Sequence, residues 1–145
     1  MSDDNEFLRA FRGRFVGVLQ WDQLAALWRR VAERADIGWY VYAVGEEPPH
    51  KPVSPQELVR FMSELDALLR RDHEHDYCGI VYTDSTTTPG FVKVFDPHNL
   101  GSVCGSIGHP VLPGWILSTL LPCDLPAALP PPANRRRWWQ RLFVS

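Results

Sequence analysis

The segment Asp96-Pro-His-Asn-Leu-Gly-Ser-Val-Cys-Gly-Ser-Ile-Gly-His109 gathers two imidazoles, a thiol and a carboxylate among glycines and small polar residues. A stretch of that composition reads as a loop, and loops are where functional side chains collect. A thiol attacks only as its thiolate, which requires a neighbouring base or positive charge. Cys104 is thus the candidate nucleophile, His98 or His109 its base, and Asp96 the carboxylate that would orient the imidazole. The competing reading is a structural loop, because a free cysteine is more often a small buried hydrophobe. Ser102 and Ser106 sit in no G-x-S-x-G turn, which leaves a serine triad without its local frame.

Two further constellations are weaker. Gly101, Gly105 and Gly108 suggest a phosphate cradle, but such glycines must open a helix, and His109-Pro-Val-Leu-Pro-Gly cannot begin one. His73 and His75 fall on one side of an extended segment and are candidate metal ligands together with a third residue from elsewhere. Paired cysteines and histidines at structural-metal spacing are missing, so these histidines read first as solvated partners of the negative end of the preceding helix. No cofactor and no metal is expected.

The C-terminal stretch is a second surface of interest. After the linker Pro126-Ala-Ala-Leu-Pro-Pro-Pro-Ala-Asn134, a short helix would bring Trp138, Trp139, Leu142 and Phe143 onto one face, with Arg135, Arg136, Arg137 and Arg141 beside them. Tryptophan and arginine dominate binding hot spots, and a proline-rich spacer lets such a segment reach a groove on another protein or on a second copy of the chain. Packing on its own acidic body, lying on an anionic membrane and stacking on RNA are the alternatives.

Composition narrows the field. The 145 residues are 45% hydrophobic and 22% charged, as in an ordinary globular domain large enough to fold without a metal or disulfide staple. All 17 acidic residues lie at or before Asp124, whereas 4 of the 15 basic ones follow it, so the body carries −6 and the tail +4. A body of that charge repels phosphate backbones, making nucleic-acid binding unlikely outside the tail. Three cysteines without a C-x-x-C pair, an acidic N-terminus and no transmembrane-length apolar run suggest a cytoplasmic protein, bacterial in style.

The elements that must position these groups follow from periodicity. Phe7 to Leu19 reads as a helix weakened by Gly13 and Gly17, with Phe15 to Leu19 as an alternative strand. Leu24, Leu27, Trp28 and Val31 make an amphipathic helix with Asp22 as its cap, ending near Ala35. Gly38 to Gly45 reads as a strand covered on both faces or as an interior strand of a sheet, and Ser54-Pro-Gln-Glu57 opens a helix running to about Arg71. Tyr77 to Thr83 pairs with Phe91 to Phe95 as a long-looped hairpin, and Trp115 to about Leu121 is the last strand.

These elements predict a single α+β domain over residues 1–125, followed by the linker and Arg/Trp-rich tail over 126–145. The sheet is expected to be about four-stranded, mostly antiparallel but mixed, with two to three helices packed on one face. A parallel crossover through the Ser54 helix supplies the mixed pair. Trp21, Trp28, Trp39 and Trp115 read as core or core rim. The functional expectation is a small accessory protein that docks on a larger partner or self-assembles through its tail; the alternative is an enzyme with a Cys/His site in the 96–109 loop.

Overall fold

A computed structural model describes residues 5–98 and 112–128. The chain runs α1 (Glu6–Phe11), β1 (Val16–Val18), α2 (Trp21–Glu33), a 3-10 turn (Ala35–Ile37), β2 (Tyr40–Ala43), α3 (Pro55–Asp72), β3 (Val81–Thr83), β4 (Phe91–Val94), β5 (Trp115–Ser118) and α4 (Leu125–Ala128). Helix α3 forms for the reason its sequence announces. The Ser54 hydroxyl accepts from the Glu57 N–H at 3.1 Å, the Glu57 carboxylate accepts from the Ser54 N–H at 2.9 Å, and Pro55 occupies the first turn, where its missing donor costs nothing. In α2 the cap is Gln20 rather than Asp22, and the Gln23 side chain accepts from the N–H groups of Leu19 and Gln20 at 3.1 and 2.9 Å.

The sheet has five strands in the order β1-β3-β4-β5-β2, and every neighbouring pair is antiparallel. The extra strand is β1, cut from the first helix at Arg12 to Phe15; the apolar spacing there satisfies a helix or a strand, and pairing with β3 decides it. The expected parallel crossover does not form. Strands β2 and β3 run in opposite directions with β4 and β5 between them, because the long α3 connection carries the chain across the whole sheet. Strand β2 is consequently an edge strand, not an interior one.

Both faces of the sheet are covered, which corrects the single helical layer. Val41, Val92, Leu117 and Val81 point to the side of α2 and α3, where Leu24, Leu27, Val31, Leu58, Met62, Leu65 and Leu69 complete a core that also holds Trp39. Tyr42, Phe91 and Ile116 point to the other side, where Phe7 and Leu8 of α1 and Leu125 of α4 cover them. Each such side chain, fully buried, contributes about 1.5–3 kcal/mol of transfer free energy. The two-sided cover explains why β2 is aromatic and β-branched at successive positions although it lies at an edge. Trp39 is enclosed completely, while Trp21, Trp28 and Trp115 pack on the core from its rim.

One cation lies on the second face. Lys93, opposite Tyr82 and Ile116 on the middle strand, places Nζ 4.1 and 3.8 Å from the ring centres of Phe11 and Phe15 and donates to the Phe11 carbonyl at 2.8 Å. Burial pushes its ammonium below the ordinary lysine range. Among the described residues, no helix is long and apolar enough to cross a membrane.

Candidate functional site: the histidine-rich end of α3

Helix α3 delivers its last residues to two adjoining surfaces. Asp72 ends the helix, and its carboxylate takes hydrogen bonds from Arg71 Nε and His98 Nε2, both at 2.9 Å. A carboxylate only accepts, so His98 donates to it from Nε2. The hydrogen bonds from Arg71 and His98 hold the Asp72 carboxyl at about 2. Asp96, the expected orienting group, accepts instead from the His98 backbone N–H at 2.9 Å and so sets the turn that carries the ring. The carboxylate at the imidazole is that of Asp72, 26 residues earlier in the chain.

The second surface begins at His73. Its backbone N–H caps α3 on the Leu69 carbonyl, and its ring, 6% exposed, donates from Nε2 to the Cys78 carbonyl at 2.8 Å. Burial lowers the imidazole pKa, so His73 is held toward the neutral form. The chain then reverses through residues 74–77 and is tied to β1 by hydrogen bonds from Cys78 N to Leu19 O and Gly79 N to Val18 O, at 2.7 and 2.9 Å. Gly79 has φ +71°, and a Cβ there would meet the Tyr77 ring at 3.1 Å, which leaves glycine as the residue that fits.

This reversal builds an open aromatic dish of about 530 Å³ between Trp21 and Arg70 on one side and residues 73–77 on the other. Trp21 Nε1 donates to the His75 carbonyl at 3.0 Å and fixes the wall. The His73 and His75 rings meet edge to face at 4.6 Å, and His75 stacks on Tyr77 at 5.5 Å. The Arg70 guanidinium lies 5.0 Å over Trp21 while its Nε donates to Asp66 at 2.8 Å. Glu74 and Asp76 stand exposed at the rim.

His73 and His75 are thus brought together as their spacing suggested, but among the described residues no group of three or more His, Cys, Asp and Glu is arranged to hold a metal ion. The two described cysteines offer no activated thiolate: burial pushes the thiols of Cys78 and Cys123 up. Cys104 and His109 lie outside the described residues, as do Arg135, Arg136, Arg137, Trp138, Trp139, Arg141, Leu142 and Phe143. Sequence reasoning missed Asp72 as a histidine partner and Trp21 and Tyr77 as dish walls. Only the position of Asp72 on the last turn before a histidine pair hinted at its role, and nothing local joins Trp21 to a residue 54 positions away.

The fold and this surface define the chain as an antiparallel α+β domain covered on both faces, with a polar aromatic dish at one corner. Compared with known proteins, it matches no family model, no curated protein and no solved structure.

Proposed function

We propose that this chain is a small accessory module that holds another polypeptide through its basic, aromatic C-terminal segment, working in the cytoplasm. The observation that carries the reading is the anchoring of the chain just before that segment. Leu125 is fully buried in the second core, and its N–H donates to the Tyr42 hydroxyl at 3.1 Å, so the chain is fixed just ahead of residues 129–145. They carry four arginines and two tryptophans, the residue types that dominate binding energy, on a body of opposite net charge. The test is native mass spectrometry of the untagged protein from its own host, with and without the residues after Leu129. A defined complex that disappears on truncation, at an unchanged melting temperature, is the expected result. A truncated protein that melts far lower and never had a companion overturns it.

A second reading is favoured by the Asp72–His98 pair, an imidazole oriented by a carboxylate, as a general base requires. In that reading His98 activates Cys104 for thiol chemistry. It requires Cys104 to alkylate faster than an ordinary thiol, with a pH midpoint depressed below the usual range, and Asp72→Asn to slow the reaction. Alkylation at an ordinary rate removes this reading.

A further inference from the structure

We propose that the dish at the end of α3 receives segment 135–143 of a second copy of the chain, so that the protein assembles with itself by placing each basic, aromatic end in its neighbour's dish. This rests on the reading of the C-terminal segment as a docking element and names the polypeptide it holds.

The chemistry of the two surfaces is complementary. Trp21, His75 and Tyr77 offer π faces, and Tyr77 is left 52% exposed despite its stack on His75. Guanidinium groups bind such faces, and Arg70 over Trp21 at 5.0 Å is an instance of that contact within this very dish. The charge left at the rim is negative. Arg70 is engaged by Asp66 at 2.8 Å and Arg71 by Asp72 at 2.9 Å, whereas Glu74 and Asp76 have no ion-pair partner among the described residues. Segment 135–143 supplies what they lack: Arg135, Arg136 and Arg137 for the carboxylates, and Trp138 and Trp139 for the aromatic floor.

Reach favours a neighbour over the same molecule. The anchored α4 covers the second face of the sheet near β2, while the dish lies on the α3 side beyond β1 and β3. Crossing four strand spacings takes about 19 Å before the path turns around the sheet edge. From Ala128 to Arg135 the chain spans at most about 25 Å even when fully extended, so reaching its own dish would demand an almost straight run across the sheet and around its edge. A second copy imposes no such limit, and reciprocal exchange closes into a two-fold dimer.

Two full-length variants test this, Glu74→Arg with Asp76→Arg, and Arg135→Glu with Arg136→Glu and Arg137→Glu. Light scattering and native mass spectrometry over a concentration series read the mass. The wild type is expected to dimerise, and each variant alone to associate roughly tenfold or more less tightly. An equimolar mixture is expected to regain a heterodimer, because each reversed dish then meets a reversed tail. Glu74 and Asp76 are exposed and without an ion-pair partner among the described residues, so their replacement leaves the fold intact, which an unchanged melting temperature checks; Tyr77→Ser serves as an uncharged second variant and is expected to weaken the dimer. A wild type that stays monomeric, or a mixture that does not associate, overturns the proposal. If the tail variant loses a host partner while the mixture stays monomeric, the dish assignment fails and the docking role of the tail survives. If a dimer persists after removal of the residues beyond Leu129, the dish assignment fails, and the docking role of the tail fails with it only when no other complex is lost on truncation.

Discussion

His73 shows how one side chain can serve the fold and carry a pH dependence. Its ring is enclosed, donates to the Cys78 carbonyl, and stands edge-on to His75, whose charge together with burial disfavours protonation. The pKa in the folded chain is therefore below the ordinary 6.5 of the unfolded one. As pH falls past that value the unfolded chain binds the proton first, so the stabilisation is complete above 6.5 and declines toward the lower folded value. Urea denaturation from about pH 8 to about pH 5 is expected to show this decline in the wild type, and a flatter profile in His73→Gln, which keeps a donor and does not titrate. Equal slopes in the two proteins would remove the assignment. At this scale the sequence singled out His73 and His75 but not their neighbours. His73 and His75 stand out by spacing, whereas the Cys78 carbonyl and the Trp21 indole reach them only through a chain reversal that requires Gly79 at positive φ.

Helix α3 and strand β1 stand at opposite ends of what local pattern can decide. The Ser54–Glu57 capping box, Pro55, and the stripe Leu58, Met62, Leu65 and Leu69 all ask for a helix, and the helix runs from Pro55 to Asp72. Ser54→Ala leaves the Glu57 N–H without its partner and is expected to cost about 1 kcal/mol in chemical denaturation, with the native spectrum retained. No loss of stability would mean that packing alone maintains the first turn. Strand β1 has three residues and no pattern of its own. Gly17 lies against the Tyr82 ring, where a Cβ would come within 3.2 Å, so its place is decided by a residue 65 positions later in β3. The same long-range effect sets the edge position of β2: its residues report that both faces are buried, which edge and interior strands satisfy equally when layers lie on either side.

Across the whole molecule, the second face is closed by parts far apart in the chain. Phe7 of α1, Tyr42 of β2, Phe91 of β4 and Leu125 of α4 meet there, with Phe7 and Phe91 ring centres 5.1 Å apart. The Tyr42 hydroxyl accepts the Leu125 N–H across 83 positions. Tyr42→Phe keeps the ring and strands that buried donor, and is expected to cost about 1–3 kcal/mol, lowering the urea midpoint without changing its slope. An unchanged midpoint would show that the hydroxyl is dispensable and the ring alone closes this end. By itself the sequence determined the α+β class, the secure helices α2 and α3, the β3–β4 hairpin and the separation of an acidic body from a basic, aromatic end. Those properties are set by periodicity, capping and charge, all of which act within a few residues. Only the tertiary structure decided that the sheet is wholly antiparallel with helices on both faces, that Asp72 rather than Asp96 holds His98, and that Trp21 and Tyr77 wall a dish. These depend on strand order and on contacts tens of residues apart, where many pairings satisfy the same local pattern and the competition to bury both faces of the sheet selects one.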